Sequence, residues 1–260
     1  MSSVSISTIK QMKKDSKQIT VLTAYDFYTA KILDEVGIDI ILVGDSLGMV
    51  FQGKKNTLEV TMKDIAYHTK VVSGALKKAF LIADMPFMSS QISVEKTLQN
   101  AAKLIQKGGA NAVKIEGCSS LDTISKIVSS GIPVMGHLGL TPQSINQIGS
   151  YKIQGKTKES YLQIVEDAKK LEEAGVFAIV LEMVPAALAQ EITSILNIPV
   201  IGCGSGPFCD GQVLVTNDIL GLYPSSPKFS KQYVNLTELI RQAGENYIKD
   251  VRAGIFPAKE

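Results

Sequence analysis

The chain has 260 residues, 45% of them hydrophobic, enough for one sizeable domain with a well-buried core. Its net charge is only +2, and the basic residues are scattered without a block or an aromatic-interleaved stripe, which argues against a nucleic-acid partner. No apolar run approaches the roughly 20 residues of a membrane span, and Met1 to Gln18 is Ser- and Lys-rich without the apolar stretch of a signal peptide. The three cysteines, Cys118, Cys203 and Cys209, are an odd number without zinc spacing. They read as reduced thiols, so a cytoplasmic location is expected.

Strand and helix patterns alternate along the chain. Ile19 to Ala24 is β-rich. Asp26 then caps a helix to Glu35, which Gly37 stops. The second strand, Ile38 to Val43, ends in Gly44-Asp45-Ser46. A long glycine-punctuated segment follows to Thr61, of a length that is usually functional or mobile. Thr61 caps a helix to about Lys78, with Asp64 completing a capping box. Strand three, Phe80 to Ala83, ends at Asp84. Ser93 caps a helix over Val94 to Gln106. Strand four, Asn111 to Ile115, ends at Glu116, and a helix over Leu121 to Val128 follows.

Strand five is read as Ile132 to Met135, followed by a glycine-rich turn that carries His137. Thr141 to Lys156 has turn residues and no period. Lys158 to Ala174 is an amphipathic helix with Tyr161, Val165, Ala168 and Leu171 inward. Strand six, Phe177 to Leu181, ends at Glu182, and Pro185 opens a helix to Leu196. Strand seven, Pro199 to Ile201, leads into Gly202-x-Gly204-x-Gly206. An eighth apolar run spans Gln212 to Val215, Tyr223 to Lys231 is loop-like, and Leu236 to Val251 is a closing amphipathic helix.

Seven or eight strands alternating with helices imply parallel β/α units. A closed (β/α)8 barrel over residues 1–260 as a single domain fits best, with a doubly wound sheet as the alternative. The barrel is favoured because polar residues end many different strands. In a barrel all those ends face one mouth, where active sites form; in an open sheet only the switch-point crevice collects them.

Four apolar strands deliver an acid at or near their ends: Asp45, Asp84, Glu116 and Glu182. Ionised acids at one mouth repel, and a bound divalent cation relieves the repulsion. An all-oxygen set favours Mg²⁺ over zinc. Taken singly, each acid is as readily a helix cap or a loop ion pair. Lys114 lies two residues before Glu116, on the same strand face, and so points into the lumen. It meets either a substrate oxygen or a neighbouring acid. Glu182 suits a general base, or joins the metal set. His137 donates to a substrate oxygen or packs a loop, and His68 reads as structural. The Gly202 to Gly206 loop either cradles a phosphate or lets a flat ligand approach the backbone.

Several strings resemble the ketopantoate hydroxymethyltransferase family: Val43-Gly-Asp-Ser-Leu-Gly-Met49, Asp64-Ile-Ala-Tyr-His-Thr69, Ala83-Asp-Met-Pro-Phe-Met88, Val113-Lys-Ile-Glu-Gly117, Gly136-His-Leu-Gly-Leu-Thr-Pro-Gln143 and Asp210-Gly-Gln-Val-Leu-Val215. The resemblance runs from about Thr23 to Leu222. It implies a barrel of the phosphoenolpyruvate mutase and isocitrate lyase type, in a cytoplasmic homodecamer of pantothenate biosynthesis. The reaction it implies carries a one-carbon unit from 5,10-methylenetetrahydrofolate to 3-methyl-2-oxobutanoate, giving 2-dehydropantoate. Asp45 and Asp84 are implied Mg²⁺ ligands, with Glu116 a third, directly or through water. Ser46 and Lys114 are implied to bind the oxo acid, and Glu182 to accept the proton. Chelation of the oxo acid by Mg²⁺ would stabilise the enolate that forms when its C3 proton leaves. A lyase or mutase acting on another 2-oxo acid, and a non-catalytic oxo-acid-binding protein, are the rival readings.

Overall fold

The structure, a computed structural model, describes residues 3–223 and 227–258. Its strands are β1 (Ile19–Thr23), β2 (Ile40–Val43), β3 (Phe80–Asp84), β4 (Ala112–Glu116), β5 (Val134–Gly139), β6 (Ala178–Glu182), β7 (Val200–Cys203) and β8 (Gly211–Leu214). They pair in chain order and in parallel as a closed barrel. The backbone divides into two compact units, Met1–Val213 and Leu214–Glu260.

Side chains alternate across each strand, so the two faces bury different cores. One face of β2, β3, β4 and β6 supplies Ile41, Val43, Leu81, Ala83, Val113, Ile115, Ile179 and Leu181. These pack against helix residues such as Ile65, Val72, Leu104, Ile127 and Leu171. The other face supplies Val21, Ile40, Ile82, Ala112, Met135 and Val180, which fill the lumen. Continuous apolar strands are what burial on both faces demands.

The predicted helix starts hold in detail. Asp26 accepts the backbone N–H of Thr29 and opens the helix Phe27–Val36. Thr61 and Asp64 form a reciprocal capping box on Met62–Ser73, and Ser93 caps Val94–Gln106. Asp34 has a separate structural task. Its buried carboxylate accepts the backbone N–H groups of Lys77, Lys78 and Ala79 at 2.7–3.1 Å, fixing the turn that leads into β3.

Several elements differ from the sequence reading: the helix expected to run to about Lys78 stops at Ser73, and short helices, Leu47–Val50 and Thr216–Leu220, stand where none was expected. Met1 to Gln18 contains a helix, Ile6–Lys14, opened by a Ser5 capping box. Its Ile9 and Met12 are buried in the lumen cluster, against strand residues such as Ile19 and Ile40. The fifth strand begins later and ends later than predicted. His137 therefore lies within β5, paired by register with Glu116 of β4 and Val180 of β6. Gly136 and Gly139 read as turn residues in isolation, yet the ladders on both sides hold them extended or at the strand end. The segment Thr141 to Lys156, read as turn residues without a period, holds a 3-10 turn, Pro142–Ser144, and a short helix, Ile145–Ile148. The loop expected over Tyr223 to Lys231 includes residues 224–226, which lie outside the described residues.

The unit Leu214–Glu260 carries the helices Thr216–Leu220 and Leu236–Arg252. The longer one has no buried residue, and Leu239, Ile240, Tyr247, Ile248 and Val251 are exposed along it.

Candidate active site

Parity alone brings the charged residues together. Asp84 follows Ile82 by two positions in β3, as Lys114 follows Ala112 in β4, His137 follows Met135 in β5 and Glu182 follows Val180 in β6. Each is thus one inward step beyond an apolar lumen residue, toward the C-terminal end of its strand. Glu116 ends β4 on the same face. Asp45 sits just past β2, beyond Gly44.

One ligand oxygen from each of Asp45, Asp84 and Glu116 lies within 4.8 Å of the others. Lys114 Nζ donates to Asp84 Oδ2 at 2.7 Å and stands 3.7 Å from Glu116 Oε1. The Asp45 backbone N–H reaches the same Asp84 oxygen at 3.3 Å. His137 stands between two acids, with Nδ1 3.4 Å from Glu116 Oε1 and Nε2 3.3 Å from Glu182 Oε2. Both contacts lie within ion-pair range but lack hydrogen-bond alignment. Asp45, Asp84, Lys114, Glu116, Glu182 and His137 therefore form one continuous constellation. Glu182 is joined to the acidic cluster through His137. Its side chain is the most open of the set, at 18% exposed against 5% or less for Asp84, Lys114, Glu116 and His137.

Burial dominates the electrostatics. It drives the Asp45 carboxyl well above the usual carboxylate range, and the charges of Asp84 and Glu116 push it the same way. Burial also raises Asp84, although Lys114 opposes it. Burial pulls Glu116 upward too, but Lys114, His137 and the Gln143 backbone N–H outweigh it and leave its pKa lowered. Burial and Lys114 depress the His137 imidazole, and the carboxylates of Glu116 and Glu182 more than reverse this, to about 9. The facing acids hold Lys114 firmly protonated.

The cluster fits a divalent cation. Asp84 Oδ1 and Glu116 Oε1 are buried acceptors without a donor, and such groups are costly unless satisfied. An all-carboxylate set is the donor chemistry of a hard cation.

The remaining predicted residues are placed as follows. Ser46 Oγ lies 2.7 Å from the hydroxyl of buried Tyr25. His68 is buried, with Nδ1 2.6 Å from the Tyr25 carbonyl, in the structural role read from sequence. In the Gly202 to Gly206 loop, Ser205 is fully buried; its hydroxyl donates to the Leu181 carbonyl and accepts the Val184 N–H. That loop is thus tied to the end of β6. Burial pushes the thiols of Cys118 and Cys209 up to about 11, which suits inert reduced cysteines.

Two site residues escaped the sequence reading. Gln143 is buried among the acids, and Tyr151 stands over the rim, where burial and the charges of Asp45, Glu182 and Glu116 raise its phenol pKa. Both sit in the segment without periodicity. The only signal for Gln143 was its place in the Gly136 to Gln143 string.

Fold and site together define a closed (β/α)8 barrel with an acidic centre at the C-terminal rim. Phosphonopyruvate hydrolase, solved with oxalate and Mg²⁺, aligns with a TM-score of 0.64 at 11% identity, covering 96% of this chain and 88% of that one. A 2,3-dimethylmalate lyase aligns at 0.62 with 13% identity, covering 98% and 90%. These are likenesses of fold. The chain belongs to the ketopantoate hydroxymethyltransferase family, whose model matches residues 3–259. It is 54% identical over 259 residues to the 3-methyl-2-oxobutanoate hydroxymethyltransferase of Thermoanaerobacter sp. (strain X514), covering 99% of this chain and 94% of that one. It is 50% identical over 257 residues to the enzyme of that name from Clostridioides difficile (strain 630), covering 98% and 94%.

Proposed function

We propose that the chain is a 3-methyl-2-oxobutanoate hydroxymethyltransferase of pantothenate biosynthesis, using 5,10-methylenetetrahydrofolate and Mg²⁺. Family membership supports the activity. The observation that carries the chemistry is the unbroken chain of contacts from the carboxylate cluster through His137 to Glu182.

Asp45, Asp84 and Glu116 are the residues that would hold the ion. Bound there, Mg²⁺ supplies positive charge to the carboxylate and 2-oxo oxygens of the substrate as negative charge develops on them. Lys114 and Ser46 bind the oxo acid, Lys114 adding a fixed cation on the same side. Glu182 takes the C3 proton, its more exposed side chain facing the space that substrate enters. His137 Nε2 stands 3.3 Å from the Glu182 carboxylate and either steadies it or turns to donate to a substrate oxygen. One carbon–nitrogen bond of the folate's methylene bridge opens to an iminium, and the carbon freed of its proton bonds to that methylene carbon; water then adds its oxygen there as the remaining carbon–nitrogen bond breaks, its proton going to the nitrogen, so that 2-dehydropantoate and tetrahydrofolate are released.

No described helix is long and apolar enough to cross a membrane, in keeping with a cytoplasmic enzyme acting on small molecules, residues 1–260 serving as one functional domain. The exposed apolar residues of Leu236–Arg252 are what a homo-oligomer, a decamer in this reading, would cover.

The test is incubation with 3-methyl-2-oxobutanoate, Mg²⁺ and folate labelled with ¹³C at the methylene carbon. The label is expected in the hydroxymethyl group of 2-dehydropantoate. Unlabelled product, or product from another oxo acid only, would refute the assignment.

A further inference from the structure

We infer that Gln143 is a positioning residue of the metal site, holding the carboxylates of Asp45 and Glu116 at the spacing a divalent cation requires. The inference rests on the cation reading above and adds to it the residue that sets the geometry.

Asp45 and Glu116 follow β2 and end β4, which are not neighbours; β3 lies between them. Gln143 bridges them. Its side-chain Nε2 donates to Asp45 Oδ2 at 2.9 Å, and its backbone N–H donates to Glu116 Oε2 at 3.0 Å. A second bond from Nε2 reaches the Met85 carbonyl at 3.0 Å, just beyond β3. Both Nε2 bonds end on acceptors, which fixes the amide orientation: a flip would set Oε1 against two oxygens. Each acid then has one oxygen engaged and the other left over, and the spare Glu116 oxygen is buried without a donor.

Chemistry explains the choice of an amide. A lysine here would pair with the acids and compete with the cation, while a carboxylate would add repulsion. An amide donates without net charge. Its own Oε1 is buried and unpartnered, an acceptor placed to take a hydrogen bond from a water or hydroxyl bound in the site. The backbone is built to deliver it. Gly139 ends β5 at φ +90°, where a Cβ would run into the Glu182 carbonyl. The chain turns there, Leu140 donates to the same carbonyl at 2.8 Å, and Pro142 starts the 3-10 turn that carries Gln143.

The test uses the whole protein and Mn²⁺ as an EPR-visible probe, titrated into wild type, Gln143→Met, Gln143→Asn and Asp45→Ala. Methionine keeps the volume and removes the side-chain donors; asparagine keeps the amide but is one methylene short. Both are expected to bind Mn²⁺ about 10–100-fold more weakly, with circular dichroism unchanged, and to recover part of their turnover as Mn²⁺ is raised. The inference is overturned if either folded variant binds within about twofold of wild type, or if affinity falls only in step with the unfolded fraction. Wild type that binds no Mn²⁺, or Asp45→Ala that binds as wild type does, overturns the cation reading and this inference with it.

Discussion

The inward faces of the barrel strands change character over a single step. In the lower lumen, Ile40, Ile82, Ala112, Met135 and Val180 pack with Ile9 and Met12 into an apolar plug. One step higher, β3, β4, β5 and β6 present Asp84, Lys114, His137 and Glu182, with Glu116 beside them. The backbone, parity and burial are alike at both levels; only the chemistry differs. The lower level gains free energy from packing. The upper level spends it, because buried acids that raise one another's pKa are unfavourable until a cation or substrate joins them. The barrel is thus a stable base under a strained rim.

Substitutions at the two levels should separate cleanly. The largest expected effect is at the rim: Glu182→Gln should lower turnover by about 10²–10⁴-fold, the scale of lost general-base catalysis, with little change in unfolding midpoint. Steady-state kinetics beside urea titration checks both halves. In the lower lumen Ile82→Ala should do the reverse. It should cost about 2–5 kcal/mol of stability in urea unfolding, while turnover per folded molecule stays near wild type.

Asp34 sharpens the contrast, being a buried acid with a purely structural task. Burial pulls its pKa up, but the N–H groups of Ala79, Lys78 and Lys77 outweigh this and leave it below the usual value. Asp34→Ala should cost about 1–3 kcal/mol at neutral pH. Because the folded-state pKa is the lower one, that stability is fully present above the unfolded value. It is lost as pH falls through the folded value, so the gap between variant and wild type should close in acid. Asp45 has the opposite sign. Its folded pKa is raised, so it costs stability once pH rises past the unfolded value. In metal-free protein at neutral pH, Asp45→Asn should therefore raise the melting temperature, by about 2–4 °C for each kcal/mol relieved. The same substitution should abolish the response to Mg²⁺. A lower metal-free melting temperature would mean that the rim is not strained.

The barrel was legible because two-sided burial writes continuous apolar strands, and helix caps such as Asp26, Thr61 and Ser93 mark the intervals. Lys114 could be aimed into the lumen from parity with Glu116 alone. His137 was misplaced to a turn because Gly136 and Gly139 carry no strand signal of their own; the ladders to β4 and β6 supply it. Gln143 showed only as the last residue of the Gly136 to Gln143 string. An uncharged amide in a segment without period gives no hint that it bonds acids 98 and 27 positions away. The helix Ile6–Lys14 is short and polar on its outer side, so its plug of Ile9 and Met12 shows only against the barrel floor.

The central claim is that the acidic cluster and Glu182 act together on one bound oxo acid. It is tested most directly by following the C3 proton of 3-methyl-2-oxobutanoate by NMR in D₂O, without folate. Exchange is expected that requires Mg²⁺ and disappears in Glu182→Gln and in Asp45→Asn. Exchange that persists at full rate with the metal chelated, or in Glu182→Gln, would contradict the account.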